Sequence, residues 1–145
     1  MHQALKLENQ LCFRLYTASR LITQAYHPLL SRMGLTYPQY LVMLVLWEQD
    51  GQPVNDIAKR LYLETNTVTP LLKRMEADGL LTRSKGRADA RQVIVHLTPK
   101  GKEMEKQALG IPAELGKAFA CRNITEKTAP QLYATLDDLI GTLSE

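Results

Sequence analysis

Thiols are scarce in this chain: Cys12 and Cys121 are the only two, and they stand far apart in sequence. No CxxC pair and no Cys/His cluster occurs, and the three histidines, His2, His27 and His96, are scattered. A zinc site is therefore not expected, and neither is any other metal or cofactor. Long apolar runs are also missing. The longest, Leu41 to Trp47, is far too short to cross a bilayer, so no membrane association is expected. The opening MHQALKLENQ lacks the apolar core of a signal peptide, which predicts a cytoplasmic protein. In that reducing setting a permanent disulfide is not expected. Repeats and low-complexity segments are absent, which argues against a solenoid or a fibrous chain.

What is present is enough apolar residue, 45% of 145, to build the core of one ordinary domain with helical extensions. The charge is unevenly spread. Val54 to Gly101 holds nine Lys/Arg against five Asp/Glu, whereas the rest holds nine against ten. A basic footprint confined to one segment points to phosphate binding, the main source of sequence-independent affinity for DNA.

The order of elements in that segment supports the same conclusion. Val54 to Leu61 predicts a short helix with Ile57, Ala58 and Leu61 inward, and Tyr62-Leu63-Glu64 a turn. Thr65 is expected to cap a second helix, whose inward stripe is Val68, Leu71, Leu72 and Met75. Its opposite face centres on Asn66, Pro70, Lys73 and Ala77, flanked by Thr67, Thr69 and Arg74. That face is short, polar and uncluttered, as a surface entering the major groove must be. After Gly79, strands are expected at Leu80 to Ser84 and Gln92 to Leu97, joined by a basic tip, Lys85 to Arg91. Arg87 and Arg91 in that tip are candidates for phosphate or minor-groove contacts, and Asp89 is expected to hold Arg91 in place. The fold class predicted is mainly α with a small β-wing: a winged helix-turn-helix with N- and C-terminal dimerisation helices. The candidate DNA-facing residues are Thr65, Asn66, Thr67, Thr69, Pro70, Lys73, Arg74, Arg87, Asp89 and Arg91, and the partner they imply is double-stranded DNA.

The flanks read as helices. From Leu5 to about Leu30, Leu5, Cys12, Leu15, Ser19, Ile22, Tyr26 and Leu29 recur at helical steps, with Pro28 either kinking the helix or ending its regular part. Gly34 follows as a stop. Thr36 and Pro38 open a helix to about Gln49 that is apolar on most sides and so central, with Asp50 to Pro53 as its stop. Thr98-Pro99 starts another helix, continued by Met104, Ala108, Ile111, Leu115 and Phe119, which Gly110 and Pro112 either kink or break. Arg122-Asn123 predicts an interruption. A last helix, from about Glu126 or nearer Thr128, carries Leu132, Leu136, Leu139, Ile140 and Leu143 on one stripe. The chain is thus expected to form one domain, 1–145. Residues 36–101 form its DNA-binding part, and residues 1–35 and 102–145 form a helical dimerisation part. A helix-turn-helix reading two half-sites of an inverted repeat calls for a two-fold homodimer.

The core DIAKRLYLETNTVTPLLKRMEADGLLTR, the Asp89-x-Arg91 pair and the LTPKG run at Leu97 to Gly101 resemble the MarR family of dimeric transcriptional regulators. More narrowly, LENQLCFRLY (Leu7 to Tyr16) and LTYPQYLVMLVLWE (Leu35 to Glu48) are similar to its organic-hydroperoxide-sensing repressors. The resemblance covers nearly the whole chain and implies a role for several residues. Cys12 matches the peroxide-sensing cysteine. Tyr26 and Tyr37 match two tyrosines that hydrogen-bond the sensor thiolate from the other subunit, and Tyr16 matches a further tyrosine on the sensor helix. Cys121 suits the resolving cysteine that some members carry. The function implied is a reduced dimer bound to its operator that lets go when an organic hydroperoxide oxidises Cys12. The regulated gene is then expected to encode a peroxide-reducing enzyme.

The chemistry has its own logic. A thiolate attacks a peroxide oxygen and becomes a sulfenic acid, which a second thiol can trap as a disulfide. An ordinary cysteine is only a few per cent thiolate at neutral pH, so phenol donors beside it would help. A helix beginning near Leu5 would leave Cys12 beyond the reach of its N-terminal dipole. Two other readings stand beside this one. One is a regulator of the same fold controlled by a small aromatic ligand, its cysteines structural. The other is a thiol peroxidase using Cys12, for which no CxxC or βαβ pattern speaks, so a non-enzymatic protein is expected.

Overall fold

The computed structural model describes residues 2–120 and 122–145. Cys121, the expected resolving cysteine, lies outside the described residues.

The first helix begins later than its periodicity predicts. Two single 3-10 turns, Gln3–Leu5 and Leu7–Asn9, precede α1, which runs Leu11–Ser31. The cause is local competition for backbone groups. The Gln10 side-chain amide donates to the Ala4 and Lys6 carbonyls at 2.7 and 3.0 Å, and the Asn9 amide donates to the Gln3 carbonyl at 2.7 Å. Side chains that satisfy those carbonyls remove the incentive to continue a helix through them. Gln10 is extended (φ −94°, ψ 114°) and becomes the N-cap. Pro28 does not end α1, which continues to Ser31.

Thr36 then caps α2 (Tyr37–Glu48) with a full capping box: its hydroxyl accepts from the Gln39 amide and the Gln39 side chain accepts from the Thr36 amide. As the all-round apolar composition predicts, α2 is central. Tyr40, Val42, Met43, Val45 and Leu46 are buried, although Leu44 faces out.

Gln52–Pro53, expected to be a loop, is a short strand, β1, paired antiparallel with β3 in register Gln52↔Val95. Two residues carry no alternation, so the strand had no signal in sequence. Beyond it come α3 (Val54–Arg60) and α4 (Thr65–Ala77). Their inner faces bury Ile57, Ala58, Val68, Leu72 and Met75. The N-cap of α4 is Glu64 rather than Thr65, which sits one position inside and donates its hydroxyl to Asn55 Oδ1 at 3.2 Å.

Gly79, at φ +74°, ends α4 in a backbone conformation that a side chain would strain. The wing strands are β2 (Leu81–Lys85) and β3 (Val93–Leu97), in register from Leu81↔Leu97 to Lys85↔Val93, with sheet order β1-β3-β2. Thr98 caps α5 (Pro99–Ala108) by accepting from the Gly101 amide at 3.1 Å. The open question at Gly110 resolves as a break: Gly110 is the N-cap of α6 (Ile111–Ala118). After residues 119–128, α7 (Ala129–Leu143) starts at the later of its two expected positions, with Pro130 in its first turn. Among the described residues of α7 none is buried, and Leu132, Tyr133, Ile140 and Leu143 are exposed. No described helix is long and apolar enough to cross a membrane.

Candidate functional site

Two surfaces carry the candidate residues. The first is the outer face of α4 with the wing. Packing Val68, Leu72 and Met75 against the core turns Asn66, Thr67, Pro70, Lys73 and Arg74 outward, all exposed, with Thr65 exposed at the first turn and Thr69 half-buried. Thr65 and Thr69, with Asp89 and Arg91 of the wing, line a cleft of about 490 Å³. Among the lining residues that sequence reasoning missed are two with polar or charged side chains from neighbouring elements, Asn55 and Arg83. Asn55 had no signal, since it lies on a helix expected only to support α4. Arg83 lies on a strand beside Glu76: Nε is 3.3 Å from Glu76 Oε2 but poorly aligned with it, so a buried N–H there has no hydrogen bond.

At the wing tip Asp89 does organise Arg91. Its Oδ1 accepts from the Arg91 amide at 3.0 Å and from Arg91 Nε at 3.2 Å. The amide hydrogen bond first, and the guanidinium second, hold the Asp89 carboxyl below the usual carboxylate range. The Arg91 side chain is 92% exposed, so it is aimed but not used up. Arg87 is exposed on the same loop.

The second surface is α1 with the start of α2. Because α1 begins at Leu11, Cys12 is the second residue of the helix and not part of its middle. There it stands among the unpaired first-turn amides, at the end of the helix that favours negative charge. Cys12 is exposed, as is Tyr16 one turn on.

Tyr26 and Tyr37 are brought together, with ring centroids 4.8 Å apart. Tyr40, which the sequence did not single out, joins them at 5.6 Å from Tyr26. Burial, followed by the neighbouring Tyr37 and Tyr40, pushes the Tyr26 hydroxyl up to about 12. Burial also raises Tyr37 and Tyr40. These phenols therefore keep their protons at neutral pH and remain donors. Cys12 does not reach them within one chain. Fourteen residues of helix at a rise of about 1.5 Å separate Cys12 from Tyr26 by about 21 Å. The same spacing is close to four whole turns, so the two look out from one side of α1.

The apolar concavity between α2 and α5–α6, lined by Tyr40, Leu44, Trp47, Leu109 and Pro112, holds about 260 Å³. Among the described residues no group of His, Cys, Asp or Glu side chains could hold a metal ion.

Known proteins resemble this chain over nearly its full length. A family model described as transcriptional regulator SarA/Rot matches residues 24–108. The organic hydroperoxide resistance transcriptional regulator of Bacillus subtilis (strain 168) is 42% identical over 141 residues, covering 97% of this chain and 94% of that protein. Among solved structures, reduced AbfR bound to DNA superposes with a TM-score of 0.78 at 36% identity, over 96% of this chain and 95% of that one. Disulfide-formed AbfR gives a TM-score of 0.66 at 39% identity, over 92% of each chain.

Proposed function

This chain belongs to the MarR/SarA family of winged-helix transcriptional regulators, in its organic-hydroperoxide-responsive branch, and we propose that it is a redox-sensing homodimeric repressor whose reduced form holds an inverted-repeat operator. In this reading Asn66, Thr67, Thr69, Pro70, Lys73 and Arg74, with Thr65 at the helix start, face the major groove. Arg87 and Arg91 serve the wing, Arg91 being aimed by Asp89. Residues 36–101 act as the DNA-binding part, with the helices on either side as the dimerisation part.

The observation that carries the sensor reading is the spacing on α1. Cys12 and Tyr26 share a face but stand about 21 Å apart, and that face is largely exposed in one chain. Two α1 helices laid antiparallel across a two-fold axis near Ser19 bring Cys12 of one copy to the tyrosines of the other. The phenols of Tyr26 and Tyr37, firmly protonated, then donate to the thiolate, with Tyr16 beside it.

The thiolate sulfur attacks the terminal oxygen of an organic hydroperoxide. An S–O bond forms, the O–O bond breaks, and the alcohol leaves after taking up a proton; the sulfur is left as a sulfenic acid. The Cys121 thiol of the other subunit attacks that sulfur, forming the S–S bond and releasing water. Closing the bond shifts the helical ends and the spacing of the two recognition helices. Moving occupancy from 99% to 1% takes about 5.5 kcal/mol of differential binding.

Operator binding with and without cumene hydroperoxide tests this for wild type, Cys12→Ser and Cys121→Ser. Oxidation is expected to release wild type and leave Cys12→Ser bound. Release of Cys12→Ser by the oxidant removes Cys12 as the sensor. Wild-type release by Cys121→Ser, with no intersubunit disulfide on a non-reducing gel, removes the second step.

A further inference from the structure

We infer that Trp47 is a positioning residue that couples the tyrosine cluster at the proposed sensor site to the recognition helix; the inference rests on the redox reading above.

The chain of contacts is continuous. Tyr40 lies 5.6 Å from Tyr26 on one side and 6.4 Å, edge-on, from Trp47 on the other. Tyr40 and Trp47 are seven residues apart on α2, two turns along one face. Tyr40 is 3% exposed, so its ring cannot shift without moving a neighbour. Beyond it the Trp47 indole N–H donates to the Gly101 carbonyl at 2.9 Å, across 54 residues of sequence.

Gly101 sits in the first turn of α5, at the point that holds the end of α4. The Thr98 amide donates to the Leu80 carbonyl at 3.1 Å, and its hydroxyl donates to the Gly79 carbonyl. Lys100 Nζ donates to the Asp78 carbonyl at 2.9 Å. The fit is too close for a side chain: a Cβ on Gly101 would lie 2.1 Å from the Leu80 oxygen. A displacement of the tyrosine cluster is thus passed by packed rings to an indole, and by one hydrogen bond to the junction from which α4 hangs. A packed contact with two discrete arrangements is the physical form such coupling takes.

Trp47→Phe keeps an aromatic ring and removes the hydrogen bond. Three quantities are measured for it and for wild type: melting temperature, rate of Cys12 oxidation by cumene hydroperoxide, and operator affinity before and after oxidation. The expected result is oxidation at the wild-type rate with the reduced-to-oxidised affinity ratio lowered about fivefold or more, the lower end of typical coupling. A purely structural role would lower stability and leave that ratio alone, and a ratio within about twofold of wild type overturns the inference.

Should the variant not fold, wild type itself supplies the readout, because Trp47 is the only tryptophan. Its emission is expected to change in step with thiol oxidation in wild type and to stay constant in Cys12→Ser. Constant emission in a wild type that does release DNA overturns the coupling. A wild type that never releases DNA on oxidation instead overturns the redox reading on which the coupling depends.

Discussion

At the scale of single residues, the tyrosines offer a direct check on their packing. The Tyr26 hydroxyl ordinarily titrates near 10 and is pushed up to about 12 in the folded chain. A proton held more tightly by the folded than by the unfolded chain stabilises the fold below pH 10, and that contribution fades as pH rises from 10 towards 12. Tyr26→Phe should therefore lose less stability than wild type over that interval, measured by chemical denaturation at several pH values. Equal slopes would mean that Tyr26 is not held as described. Asp89 works in the opposite direction: its carboxyl is lowered, so its hold on the Arg91 loop is complete above the usual carboxylate range and lost as pH falls through the lowered value. Around neutral pH the wing geometry is consequently insensitive to acid. Arg91→Ala should weaken operator binding across all sequences and flatten its salt dependence by about one to two in slope for a two-winged dimer. An unchanged slope takes Arg91 off the list of phosphate contacts.

At the scale of elements, capping and stripes were legible and competition between neighbours was not. Thr36 and Thr98 announced their helices because hydroxyls three residues before a free amide satisfy it. The stripe Val68, Leu72, Met75 fixed which side of α4 is hidden. The start of α1 was misread because Gln10 and Asn9 bond backwards, a choice invisible to periodicity. Tyr40 was hidden within a helix apolar on all sides, where no position stands out. The turn between α3 and α4 also held a surprise. Tyr62 has φ +53°, a left-handed conformation in a residue other than glycine, and its ring is mostly exposed. Because little packing is at stake, conformation should dominate there. Tyr62→Val, β-branched, should destabilise by about 1–2 kcal/mol in urea unfolding, whereas Tyr62→Gly should not. Equal effects of the two would mean that the Tyr62 ring matters more than its backbone.

At the scale of the molecule, the uneven charge and the uneven burial describe one arrangement. The basic segment Val54 to Gly101 contains both helices of the helix-turn-helix and the wing, while α1 and α7, outside it, carry many of the exposed apolar side chains. Leu11, Phe13, Leu21, Ile140 and Leu143 all face solvent in one chain, a pattern that fits burial against a second copy. Ile140→Glu should shift the monomer–dimer balance towards monomer by tenfold or more, roughly the loss expected when an apolar anchor is replaced by a charge, and weaken operator binding with it. Sedimentation that still shows a full dimer at the same concentration would place the interface elsewhere. The expectation of a second copy came from the amphipathic ends and from a helix-turn-helix that reads two half-sites, neither of which says at what angle two copies would meet.

The late start of α1 has a practical bearing on how sensitivity can be set. The Gln10 and Asn9 amides, by holding the two 3-10 turns closed, decide that Cys12 stands in a first turn and not a third. On the proposed sensor reading, Gln10 and Asn9 thus set where on its helix the reactive thiol stands. On that reading, variation or tagging at this end of the chain changes the setting of Cys12 while the proposed tyrosine partners and DNA-facing surface stay unaltered.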